Sequence, residues 1–376
     1  MVTWLGIIAV GMALRQADRW WFSPRRGGPV PTTLRDIRTL QRERANDLTP
    51  ALLLAGHWTE MAGWCLVAAH GGPLGWTAAA MAGAVKLRHL QEVSHFAVHG
   101  VLTRSGRAGN ALCEAAVHVP LGFVPVPVRR RRHVREHHPN ATVPGTDPNL
   151  RELHDAGLRT GVSGSRFLRA LFFPLTPTGF AVTVRGIADN IARGKGCWWR
   201  MVGFGAVPAA IMAFGGWHAV LFGYAIPRLL LYPQLAWMSL LVEHRWWDAE
   251  PVSGLPAVVE AARCLRLYPD NAVWALLARG TWLPYGDLYH YAHSAHPAVR
   301  WNYLPVLERH ILGIPAYTSN ALVLSGDAVV RHHFRALSTQ DEASRVARPV
   351  RQIERGGPDE LTAYVGDGPF DARASA

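Results

Sequence analysis

Tyr289-His290-Tyr291-Ala292-His293-Ser294-Ala295-His296-Pro297 sets an imidazole at every third position and then a proline. At 3.6 residues per turn each step of three rotates the side chain by about 60°. His290, His293 and His296 therefore fan over one side of a helix, which Pro297 ends. One imidazole rarely holds a metal by itself, so such a fan points to further ligands elsewhere in the chain. Two upstream stretches offer them: His95-Phe96-Ala97-Val98-His99 and His133-Val134-Arg135-Glu136-His137-His138, with His244 isolated between the second and third. His95 and His99, four apart, share a helix face, and Glu92 precedes them by one turn. In the second stretch His133 and His137 are expected on a common face, with His138 about 100° further round. Adjacent histidines so arranged can address two metals. Asp147 follows at loop-like spacing in Thr146-Asp147-Pro148-Asn149.

Working outward, the segments between these stretches are strongly apolar. The 376-residue chain is 49% hydrophobic, with 15 Trp, 36 Gly and 26 Pro. Residues 61–85 hold no Asp, Glu, Lys or Arg, and neither do 51–59 or 201–227. A membrane span needs about 20 apolar residues. Residues 50–85 thus accommodate two helices turning at Gly71-Gly72-Pro73, and 201–242 two more, with a tip near Gly215-Gly216-Trp217. Arg228 interrupts the fourth. His57 and Glu60 fall in or beside the first span, where ionisable groups are functional candidates. The expected fold is all-α: an integral membrane protein with four spans in two hairpins under a histidine-rich helical cap. Residues 1–49 read as an N-terminal arm with a possible interfacial helix, 50–323 as the membrane domain and 324–376 as a charged tail.

Charge decides orientation and excludes some partners. The net charge is +12, and the basic residues flank the ends of the hairpins away from their tips. By the positive-inside rule that side is cytoplasmic, and every histidine stretch falls on it. The run Arg129 to Arg132 lies among apolar spans and no DNA-binding pattern accompanies it. It reads as a contact for anionic lipid head groups, not for nucleic acid. Residues 166–182 are expected to lie in the membrane interface. The four cysteines are scattered without a Cys-x-x-Cys pair, so neither a disulfide framework nor a thiolate zinc site is expected. His332-His333 lies in a polar segment and reads as a surface pair without a metal.

Together these motifs resemble those of the membrane fatty acid desaturase superfamily of non-haem di-iron enzymes. The first box of that family is similar to His95 through His99, with Arg88-His89 before it. The second is similar to His133 through His138, followed by Asp147-Pro148-Asn149. An isolated Glu-His near the end of the fourth span is matched by Glu243-His244, and the third box by His290 through Pro297, followed by Trp301-Asn302-Tyr303-Leu304-Pro305. The likeness covers roughly residues 50–315. Two positions depart from it. Ser294 stands where the third box ends in a second histidine, a place that His296 is expected to fill. Phe96 replaces a frequent acidic residue.

The resemblance implies two iron ions, held by His95, His99, His133, His137, His138, His244, His290, His293 and His296. Glu92, Asp147, Glu243 and His89 would support those ligands from behind. It also implies dioxygen as co-substrate and a lipophilic acyl substrate to be desaturated. No haem or iron–sulfur pattern occurs in the chain, so a separate ferredoxin-like donor with its reductase is expected to bring two electrons. Hydroxylation or ketonisation of a lipophilic metabolite is the alternative on the same site. A non-enzymatic metal-binding membrane protein is a further reading, although transporters set their ligands near the bilayer midplane.

Overall fold

The computed structural model describes residues 2–21, 34–192, 197–268, 271–314, 322–324 and 326–339. Four helices open the chain: α1 (Val2–Trp21), α2 (Leu34–Gln41), α3 (Ala45–His70) and α4 (Gly72–Val98). At 1.5 Å per residue α3 and α4 are each about 40 Å long, and they turn back on each other through Gly71. Helix α1 does not stand apart as an arm. It packs antiparallel along α3 at a close approach, where an added Cβ on Gly56 would meet the Gly11 carbonyl at 2.6 Å. Glu60 of α3 is paired there with Arg15 of α1 and Lys86 of α4. A second tie joins α1 to the distant third box, since Asp18 is paired with Arg300 and accepts from Trp301 and Asn302.

The second apolar region is helical from Cys197 to Glu243. Among the described residues it is the one helical stretch long and apolar enough to cross a membrane by length and composition. It is two helices in practice. Gly216 adopts φ 69°, ψ −168°, a conformation that only glycine takes readily, and the chain breaks at the tip expected from sequence. Trp198, Met201, Val202, Met212, Phe214 and Trp217 are exposed along its first half, as helices facing an apolar solvent would be. Two π-helical turns, Leu221–Ala225 and Pro227–Leu231, interrupt the return helix around Pro227. There Arg228 turns inward and donates to the Leu121 carbonyl at 2.8 Å.

Several details differ from the sequence reading. The fold is helical but not purely so: Leu265–Leu267 and Leu322–Leu324 pair as a two-stranded parallel sheet. The packed body continues past residue 323 through the helix Gly326–Thr339, where Ala336 and Leu337 join a core with Trp246 and Trp247. The His332-His333 pair is not a surface feature. His333 is buried, 2.8 Å from the Leu241 carbonyl, and His332 meets Asp248 at 3.0 Å. A helix amphipathic enough to hide one face carries a histidine inward here, which local polarity does not reveal. Within the basic run, Arg129 donates to Ser94 Oγ at 2.6 Å while Arg132 is paired with Glu152, so these two do not stand free for head groups. The expected interfacial segment is two helices, Gly164–Leu171 and Pro177–Ala192, with Leu168, Phe172, Leu175 and Phe180 exposed.

Candidate metal centre

The imidazoles arrive from four separate parts of the chain, each aimed by a local feature. His95 occupies the last turn of α4 and His99 its C-cap, one turn on. The second box lies in a π-helical turn, Arg131–His137. Its i→i+5 bond runs from the His138 N–H to the His133 carbonyl, and such turns are frequent at functional sites. Pro139 follows and has no N–H with which to resume the helical ladder. His244 ends the helix Tyr232–Glu243 in an extended conformation and forms an isolated antiparallel bridge with Cys264. His290 and His293 sit one turn apart on the short helix His290–Ala295.

Their side chains fall into two adjoining groups. His95, His99, His133, His138 and His293 form the first. Four of their Nε2 atoms face one another: His95 to His133 at 2.6 Å, His99 to both His95 and His133 at 3.1 Å, and His138 to His133 at 3.1 Å and to His99 at 3.4 Å. Hydrogen bonding cannot satisfy this arrangement. Burial, with the neighbouring imidazoles next, holds His138, His290 and His293 well below the ordinary histidine range, and the same causes act on His133. A neutral imidazole has one donor, and the His95 Nδ1 already faces Glu92 Oε1 at 3.0 Å. With that proton on Nδ1, the His95 Nε2 faces its neighbours as a lone pair. Nitrogens about 2.1 Å from one ion lie about 3 Å apart at right angles and about 3.4 Å apart at tetrahedral angles, the range of most of the spacings seen. His293 strengthens the point, since neither of its buried nitrogens has a hydrogen-bond partner among the described residues.

The second group gathers His137, Glu243 and His244 on one side and His244, Cys264 and His290 on the other. His244 and His290 bring their Nε2 atoms to 3.1 Å, and Ser294 Oγ lies 3.2 Å from the same His290 nitrogen. The Nε2 of His137 is buried without a hydrogen-bond partner among the described residues. The groups touch, with the His290 and His293 ring centroids 5.9 Å apart.

Behind these rings stands a carboxylate at each group, the usual device for fixing tautomer and orientation. Glu92 serves His95. Asp147 Oδ1 meets His137 Nδ1 at 2.9 Å and also accepts from the Asn149 N–H, starting the helix Pro148–Asp155, while its Oδ2 takes the Thr142 N–H. Glu92 is in turn bound at 3.4 Å by Arg88, whose guanidinium also pairs with Asp287 and donates to Ser239 Oγ at 2.8 Å.

Most of the residues expected from sequence thus come together, with three revisions. His133 groups with His138 and not with His137, because the π turn aligns positions five apart where an α-helix aligns positions four apart. His296 joins neither group. The helix ends at Ala295, and His296 is half-buried where Arg38 and His310 face it, its pKa pushed down to about 4 mainly by burial. His89 lies off the groups, 3.2 Å from the Gly280 carbonyl and beside His57. Sequence reasoning passed over Arg88 as a structural partner, Asp287 and Cys264. Asp287 stands three residues before His290, a helical spacing that could have flagged it. Cys264 gives no local signal, because a strand brings it in from elsewhere.

Fold and site define a helical protein with paired imidazole-rich groups that could hold metal ions. The fatty acid desaturase family model matches residues 71–322, and the chain belongs to that family. The match carries with it a desaturase-like, membrane-associated oxidoreductase acting on acyl lipids. No curated protein matches the chain.

Proposed function

We propose that this protein is a multi-pass membrane oxidoreductase that uses dioxygen and two external electrons at a di-iron centre to desaturate an acyl chain. The observation that carries this reading is the paired grouping of imidazoles, four with Nε2 spacings of 2.6–3.4 Å and His293 within 4.8 Å of them, beside three more. Five nitrogens exceed the four that tetrahedral zinc takes and suit an ion of higher coordination number such as iron. His95, His99, His133, His138 and His293 would hold one ion. His137, His244 and His290 would hold the other, with Glu243, Ser294 and Cys264 at its margin. Iron bound there supplies dioxygen activation and the removal of hydrogen from an unactivated C–H bond.

The chain's own part is positional. Glu92 and Asp147 hold His95 and His137 with their Nε2 lone pairs inward, and the arginine behind Glu92 keeps that carboxylate charged and fixed. Helices α3 and α4 with the 197–243 hairpin make the four spans, with the imidazoles on the cytoplasmic side that the basic residues mark. That positive face suits docking of an acidic ferredoxin-like donor.

The second group is the poorer in nitrogen, since Ser294 occupies the place of the family's last histidine. Fewer fixed ligands leave more room at that ion, which favours oxygen insertion as the second reading. Lipid and metabolite profiles of a host expressing the wild type or His137→Ala separate the two. A new double bond that the variant lacks supports desaturation, and a new hydroxyl or keto group supports insertion. Identical profiles from an iron-loaded wild type and the variant sink both. A further prediction concerns the departure itself. Ser294→His is expected to slow the loss of the second ion to a chelator by at least about tenfold, the scale of ligand-environment changes, while His296→Ala leaves iron per chain unchanged. Loss of an ion on His296→Ala would restore His296 to the ligand set.

A further inference from the structure

Tyr285 is held in an unusual way. Its φ is 53°, a left-handed conformation that a bulky residue adopts only under constraint from its surroundings. That conformation turns the phenol inward from the loop before the third box, and its hydroxyl makes a short hydrogen bond to Nε2 of His57 on α3. Arg15 and His89 complete the surroundings, the His89 ring lying 5.6 Å from the phenol. None of these residues belongs to the imidazole groups.

An aromatic path nevertheless joins Tyr285 to them. Its ring lies 5.6 Å from Trp301, Trp301 lies 4.9 Å from Phe96, and Phe96 lies 5.8 Å from His293, all edge-to-face contacts between centroids. Tyrosine and tryptophan are the side chains most readily oxidised by one electron in this path. The two rings differ in how they can meet that loss. The Arg300 guanidinium sits 4.1 Å over the Trp301 ring, and a cation over an indole opposes a second positive charge on it. Asp18, which accepts from the Trp301 N–H at 3.2 Å, is itself paired with Arg300. The phenol differs from the indole in having a proton to release along its short hydrogen bond to His57 as it loses its electron. Burial pushes the phenol above its ordinary pKa, so the phenol is neutral at rest and the two losses are coupled.

We infer that Tyr285 and His57 form a proton-coupled redox pair, connected through Trp301 and Phe96 to the imidazole groups. Its role is to take up an oxidising equivalent that finds no substrate. The inference rests on the proposed function for the source of that equivalent, a one-electron oxidant generated at the metal centre, and for the donor that later returns an electron. One electron passes from Tyr285 by way of Trp301 to the oxidant, which is reduced by one. The phenolic proton passes to His57 Nε2, leaving a neutral phenoxyl radical and an imidazolium. An electron from the low-potential donor protein and the return of the same proton restore both groups.

The test uses the full-length protein without metal, oxidised by photoexcited ruthenium tris-bipyridine with persulfate as the terminal acceptor and frozen under illumination. The expected electron paramagnetic resonance spectrum contains a phenoxyl signal from one fixed ring. That signal disappears in Tyr285→Phe, which keeps the ring against Trp301. It also disappears in His57→Gln, which accepts a hydrogen bond but not a proton. Matching thermal unfolding of wild type and variants shows that the fold is kept. An unchanged phenoxyl signal in Tyr285→Phe overturns the inference, and so does an unchanged signal in His57→Gln. With no iron in the sample, such a failure leaves the di-iron reading standing. Failure of the lipid profiles would leave the radical result in place.

Discussion

His293→Ala is expected to have opposite consequences in the metal-free and the metal-loaded protein. In the metal-free state both ring nitrogens are buried without hydrogen-bond partners among the described residues, and removing an unsatisfied buried group recovers about 1–3 kcal/mol. The cavity left by the ring costs a similar amount. Unfolding without metal should therefore move by no more than about 2 kcal/mol, in either direction. With metal bound the balance changes. His293 lies against His95, His99 and His138, with ring centroids 4.7, 4.6 and 5.4 Å away, so its loss opens the side of the first group. Affinity there should fall by more than the about 10–100-fold produced by changes one layer further out. A hundredfold loss removes about 2.7 kcal/mol of metal-linked stability. Thermal unfolding with and without added ferrous iron, together with iron counted per chain, measures both halves. A variant that is equally destabilised in both states would show that His293 is an ordinary core residue.

Arg88→Ala carries the largest expected cost to the fold itself. Arg88 and Asp287 are each nearly inaccessible to solvent, and the guanidinium engages Asp287, Glu92, Ser239 and, at 3.1 Å, Gln91. Removing one partner of a buried pair strands the other charge, at about 3–5 kcal/mol. Two carboxylates are stranded here, so the upper part of that range applies. Pairing Arg88→Met with Asp287→Asn should recover part of the loss, because the amide still accepts from Ser239 and only Glu92 is left without the guanidinium. Thermal unfolding in detergent reads both variants. A cost under about 1 kcal/mol for Arg88→Ala would mean that the network is solvated in a way that its burial contradicts. Iron binding should weaken in Arg88→Ala even where the protein stays folded, because Glu92 loses the charge that holds it against His95.

These effects bear on how far a sequence can be read. The boxes at 95–99, 133–138 and 290–296 were legible because imidazoles at helical spacing are a chemical signal independent of fold. The tip at Gly215-Gly216 was legible for a backbone reason, since glycine is needed where φ turns positive. The partition of the second box was not. It follows from an i→i+5 turn, which no composition of Arg-Arg-His-Val-Arg-Glu-His announces, and the one-residue change in register sends His138 rather than His137 to the first group. His296 failed for the opposite reason. Its spacing fits the fan, but the helix stops one residue too early to carry it there.

The order of apolar runs and histidine boxes, and with them the family and the kind of donor atoms, is written in the sequence, because both depend on side-chain chemistry repeated at short range. Which imidazole faces which was decided by tertiary structure. So were the arginine and carboxylates behind them, the inward turn of His333, and the path from His293 to Tyr285. These depend on contacts between segments up to 284 residues apart, as between Asp18 and Asn302. Short-range periodicity fixes the direction of a side chain relative to its own helix, and only the packing of one helix on another fixes what that side chain meets.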